Sequence, residues 1–133
     1  MKFGAAAVIF DPNGRVLLVE DEHDGTRHFA PPGGSIELGE TPREAAVREV
    51  VEECGLPATV TDLLGVYVAR AENFSVFVFM ATVPENAVAR ADTSEVIAVG
   101  WFDSNNLPSP RRGIAHAALE DAIHGRLGMY REV

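Results

Sequence analysis

The chain has 133 residues, 47% of them hydrophobic, which suits one domain with one core and excludes an intrinsically disordered protein. Eleven basic against twenty acidic residues leave a net charge of −9, which disfavours a nucleic-acid backbone or an anionic membrane as a broad partner. An anionic substrate would need cations at its site, and a bound metal ion supplies them whatever the global charge.

Residues 3–10 and 15–20 are β-rich runs on either side of Asp11-Pro12-Asn13-Gly14, a hairpin signal. The first run reads as a buried strand rather than a signal peptide, because it has one basic residue before it and flows straight into that turn. Asp21 to Arg27 is polar and loop-like. His28-Phe29-Ala30 reads as a short strand entering Pro31-Pro32-Gly33-Gly34, a turn that brings bare backbone close to something. Residues 42–54 are the clearest helix. Thr41 is a good N-cap, Pro42 suits the first helical position, Glu44 completes a capping box, and Gly55 is a C-terminal stop.

Two further β-rich runs follow at about 58–69 and 74–83, then a polar connection over 84–94 and a strand over 96–102. Residues 111–125 carry helical spacing through Ile114, Ala118, Leu119, Ala122 and Ile123. No segment is apolar over the roughly 20 residues that span a bilayer. Cys54 is the single cysteine, so no intramolecular disulfide forms and a cytoplasmic protein is expected. Strands before, between and after two helices imply a mixed α/β sandwich, residues 1–133 forming one domain.

On a wheel of 3.6 residues per turn, Ala46, Val47, Val50, Val51 and Cys54 share one side of the 42–54 helix. Glu49, Glu52 and Glu53 cluster on the other, with Arg48 four residues before Glu52. Like charges at this spacing oppose the helix, and a hard divalent cation such as Mg²⁺ or Mn²⁺ offsets that directly. A solvated acidic face is the bland alternative. It loses ground because Gly33-Gly34 and a further carboxylate, Glu40, precede the helix at fixed distances.

Gly34, five residues, Glu40, seven residues, then Arg48-Glu49-Val50-Val51-Glu52-Glu53-Cys54-Gly55-Leu56 resembles the Nudix box, G-x5-E-x7-R-E-U-x-E-E-x-G-U with U apolar. Every defined position is present. The chain resembles the MutT-like branch, and the resemblance implies a Nudix α/β/α sandwich with a mixed β-sheet between helices. It implies a pyrophosphohydrolase using Mg²⁺ or Mn²⁺ on a small nucleotide. It further implies that Glu52 and Glu53 ligate the metal, with Glu49 a ligand directly or through water, and that Gly33 offers its carbonyl. Arg48 would hold the glutamates, and Glu40 would be a supporting carboxylate or weaker ligand. The general base is often a glutamate before the late strand. Glu95 occupies that place; Glu72 is a weaker rival, and Glu53 or Glu49 could serve instead. Homodimers are common in the family.

Arg27, His28 and Arg70 are candidate substrate contacts, with surface strand residues the equal alternative. Phe29, Phe74, Phe77, Phe79 and Trp101 could include a base-stacking platform, although most strand aromatics are core. Arg111-Arg112 opens the last helix, where cations oppose the dipole. Cys54 reads as structural, which argues against the related isoprenoid isomerases. His116 and His124 show no metal-ligand pattern. The expected function is hydrolysis of a nucleoside triphosphate or related nucleotide. The alternatives are a nucleotide sensor without turnover, which would usually have lost box glutamates, and an RNA 5′-end pyrophosphohydrolase, disfavoured by the acidic balance.

Overall fold

A computed structural model describes residues 1–23, 25–91 and 96–133, with His23 described by its backbone alone. The described strands are β1 (Lys2–Ile9), β2 (Arg15–His23), β3 (Thr26–Ala30), β4 (Gly33–Ser35), β5 (Thr59–Ala69), β6 (Phe74–Thr82), β7 (Ala98–Asp103) and β8 (Met129–Glu132). The helices are α1 (Pro42–Cys54) and α2 (Gly113–Ile123).

The strands form two sheets. One has the order β4-β1-β6-β5-β8 and is mixed, since β1 runs parallel to β6 and β5 to β8 while the other neighbours are antiparallel. The second, β3-β2-β7, is antiparallel. Alternate residues of β1 and β2 point to opposite sides. Ala7, Ile9, Leu17 and Val19 pack with Val50 and Cys54 of α1. Val8, Val16 and Leu18 pack with Tyr67 and with Ala118 and Leu119 of α2. The two helices therefore cover opposite faces, which is the expected α/β/α sandwich.

The boundaries of α1 match the sequence signals. Thr41 Oγ1 accepts from Glu44 N at 3.1 Å, and Glu44 Oε1 accepts from Thr41 N at 2.9 Å. Gly55 has φ +67°, the left-handed conformation that favours glycine, and its N–H bonds the Val51 carbonyl at 2.9 Å. Elsewhere the structure corrects the reading. Asp21 to Arg27 is not mainly loop: β2 runs on to His23 and β3 begins at Thr26, pairing Asp21 with His28 and Glu22 with Arg27. Helix α2 begins at Gly113, and Arg112 is its N-cap without a side-chain cap bond.

Strand β8 has no counterpart in the sequence reading. Fully buried Asp121 of α2 ties it down. Arg131 donates to Asp121 from Nε and Nη2, both at 2.7 Å, Arg126 from Nη1 at 3.0 Å, and the Tyr67 hydroxyl at 2.8 Å. A buried carboxylate with four donors is satisfied, whereas an unpaired one would cost several kcal/mol.

Candidate metal centre

Strand β4 lies antiparallel on β1, pairing Gly34 with Ala5 and Gly33 with Ala6, and α1 rests on both strands. The helix thus places its glutamates beside the glycine turn. Glu53 is almost buried, 8% exposed, and its Oε1 accepts from the Gly33 N–H at 2.8 Å. Glu49 lies against Gly34 so closely that a β-carbon there would sit 2.5 Å from Glu49 Oε1. Both glycines are therefore required by close approach. A side chain at Gly34 would displace a carboxylate, and one at Gly33 would meet the Ala5 carbonyl at 2.6 Å.

Arg48 organises the rest. Its Nε donates to Glu40 Oε2 at 2.7 Å and its Nη2 to Glu40 Oε1 at 3.0 Å. Nη1 donates to Glu49 Oε1 at 2.9 Å and to Glu52 Oε2 at 3.0 Å, and Nη2 also reaches the Ser35 carbonyl at 3.0 Å. These bonds use all five guanidinium donors. Glu37 is a further ion-pair partner at 3.5 Å. The hydrogen bonds, those to Glu40 first, push the Arg48 pKa upward, and the same contact holds the Glu40 carboxyl below the usual value. Glu40 Oε1 also accepts from the Glu37 N–H at 2.9 Å, fixing the loop before α1.

Gly33, Glu40, Arg48, Glu49, Glu52 and Glu53 are thus brought together. Two partners of this cluster were not read from the sequence: the Ser35 carbonyl and the Glu37 side chain. Among the described residues no three carboxylate, histidine or cysteine side chains are gathered around one point as metal ligands. The donors are nonetheless all oxygen, which suits a hard divalent cation. The cluster offers carboxylates of different exposure, Glu49 at 12% and Glu52 at 51% among them.

Glu95 lies outside the described residues, and Glu72 is exposed within the turn between β5 and β6. Arg70 pairs with Glu132 of β8 at 3.6 Å rather than with the glutamate cluster. Arg27 is exposed on β3. His28 is half-buried, and its Nδ1 is buried without a hydrogen-bond partner. Arg111 Nη1 donates to the Pro108 carbonyl at 2.8 Å, and Nη2 lies 3.3 Å from His116 Nδ1. Cys54 is buried, and desolvation pushes its thiol up to about 12, so it is an inert packing group.

The NUDIX domain family model matches residues 2–121. The chain belongs to the Nudix family. It is 33% identical over 120 residues to a MutT-like protein of Streptomyces ambofaciens, covering 90% of this chain and 75% of that protein. It is 36% identical over 106 residues to an ADP-ribose pyrophosphatase of Methanocaldococcus jannaschii, covering 75% of this chain but only 61% of that protein. A MutT Nudix hydrolase from Burkholderia pseudomallei superposes with a TM-score of 0.78 at 27% identity, covering 90% of this chain and 96% of that one. As a Nudix hydrolase the chain acts on phosphoric anhydride bonds in nucleoside diphosphate compounds, a class that generally uses divalent metal ions. No described helix is long and apolar enough to cross a membrane.

Proposed function

We propose that this Nudix hydrolase is a Mg²⁺- or Mn²⁺-dependent pyrophosphohydrolase of a nucleoside triphosphate or a closely related small nucleotide. The observation that carries the reading is the Arg48 cluster: one guanidinium holds Glu40, Glu49 and Glu52 beside a glycine turn whose Gly33 N–H binds Glu53. Glu52, Glu53 and Glu49, with the Gly33 carbonyl, would hold the ion. A bound divalent cation supplies charge neutralisation of the diphosphate and acidification of water.

The chain's own residues do the rest. Arg48 holds Glu40, Glu49 and Glu52 together by charge-assisted hydrogen bonds and does not itself touch substrate. Glu40 supports Arg48. A carboxylate takes the proton from the attacking water; Glu95 is our candidate for that role, with Glu53 and Glu49 next. Arg27 and His28 of β3, which leads into the glycine turn, are candidate contacts for the leaving group. The MutT-like relative favours a triphosphate, while the ADP-ribose pyrophosphatase relative keeps a nucleoside diphosphate sugar as the second reading.

A Mg²⁺-supplemented panel of nucleoside triphosphates, ADP-ribose and sugar nucleotides tests this. Triphosphate cleavage to a monophosphate and pyrophosphate is expected. Intact triphosphates with a cleaved sugar nucleotide or ADP-ribose would overturn the triphosphate assignment. Tight nucleotide binding with no turnover would favour a sensor.

A further inference from the structure

Helix α1 covers only part of the sheet face it packs on. Ala5 and Phe79 lie under Ala45 and Ala46, with Ile36 and Phe77 partly buried at the margin. Phe3 is two residues before Ala5 on β1 and points to the same side. The helix begins at Pro42, however, and Phe3 stays 49% exposed. Phe3, Ile36, Pro42 and Phe77 line an open apolar groove of about 400 Å³, with the Phe3 and Phe77 rings 6.2 Å apart.

Leu38 lies beside this groove and does not fill it, being fully exposed. The loop that carries it leaves from Ile36 and returns to Pro42, both lining residues. That loop is braced at its base. Glu40 Oε1 accepts from the Glu37 N–H at 2.9 Å, the Glu40 N–H bonds the Glu37 carbonyl at 3.1 Å, and Gly39 supplies a φ of +84°. A lone exposed leucine is ordinary. A leucine held on an ordered turn, next to an apolar groove that it does not enter, is a knob beside a hole. Charge follows the same arrangement. Glu37 flanks the knob and its side chain is 66% exposed. Arg43 flanks Pro42 of the hole, is exposed, and has no ion-pair partner among the described residues.

We propose that this face binds a second copy of the chain, the Leu38 of each protomer entering the Phe3–Phe77 groove of the other. A two-fold axis makes such a surface self-complementary, since every contact is made twice. It also sets Glu37 of one protomer beside Arg43 of the other. A pre-ordered loop loses little freedom on docking. Leu38 and the four lining residues offer on the order of 400 Å² of apolar surface, below the roughly 800 Å² per partner of a standard interface, so the dimer is weak and concentration-dependent.

Sedimentation velocity of the chain from about 1 µM to 1 mM, with thermal unfolding as the folding control, tests the proposal. Wild type should pass from monomer to dimer across this range. Leu38→Glu should weaken dimerisation by about tenfold or more, because a carboxylate would enter an apolar groove, while Leu38→Met should keep it. Glu37→Arg and Arg43→Glu should each weaken it several-fold by setting like charges together, and the double variant should restore it. A wild type that stays monomeric throughout overturns the proposal and leaves the groove to a small apolar ligand or a different partner. A dimer unaffected by Leu38→Glu, or a double charge variant no better than the single ones, overturns it by placing the interface elsewhere.

Discussion

Arg48 grips Glu40 through two parallel hydrogen bonds, Nε to Oε2 at 2.7 Å and Nη2 to Oε1 at 3.0 Å. The remaining donors of the same guanidinium reach Glu49, Glu52 and the Ser35 carbonyl. Lysine has the charge but not the planar fork. Arg48→Lys should therefore lower kcat/KM by on the order of 10–100-fold, as loss of a ligand-supporting contact does. The metal concentration giving half-maximal activity should rise with it. A lysine variant with wild-type metal dependence would remove Arg48 from the account.

Gly34→Ala separates site geometry from folding. The added methyl meets the far end of the Glu49 side chain, which can move. Thermal unfolding without metal should change little, while divalent-ion affinity by calorimetry falls about 10-fold or more. Gly33→Ala is the contrast, because its methyl meets the Ala5 carbonyl at 2.6 Å and Ala6. That variant should lose thermal stability itself. Equal behaviour of the two variants would contradict the close-approach argument.

Local chemistry made α1 readable from sequence: Thr41, Pro42, Glu44 and Gly55 act within one helix and do not depend on distant residues. The carboxylate cluster was readable for the same reason, since helix spacing alone places Glu49, Glu52 and Glu53 together. Strand β8 was not readable, because Met129–Glu132 becomes a strand through pairing with Gly65–Val68 and through the Arg131–Asp121 bond, both long-range. Asp21 to Arg27 misled because Glu22, Thr26 and Arg27 are exposed while their backbones are paired between β2 and β3. Phe74 could not be told from Phe77 or Phe79 by type. Strand alternation sets Phe74 opposite Phe77 and Phe79, but which face meets which helix needed the three-dimensional packing, where Phe77 and Phe79 lie with Ala45 and Ala46 of α1.

Asp121 gives the fold a defined acid limit. The hydrogen bonds from Arg131, and then those from Tyr67 and Arg126, hold its carboxyl at about 2, below its ordinary value of 3.8. The folded pKa is depressed, so this contribution is complete above pH 3.8 and is lost as pH falls towards 2. Asp121→Ala leaves the arginines and the Tyr67 hydroxyl without their acceptor and should cost on the order of 3–5 kcal/mol, read by urea unfolding at neutral pH. The difference from wild type should shrink as the pH approaches 2. A pH-independent difference would show that the ion pairs are not its source.

Glu53 bears the account most directly, because its nearly buried carboxylate lies on the Gly33 N–H at the point where helix and turn meet. The decisive measurement is nucleotide hydrolysis by wild type and Glu53→Gln across a Mg²⁺ titration, with thermal unfolding as the folding control. Wild type should require the divalent ion, and the glutamine variant should fold normally yet lose on the order of 10²–10³ in kcat. Full activity after chelation, or a Glu53→Gln enzyme as active as wild type, would contradict the account.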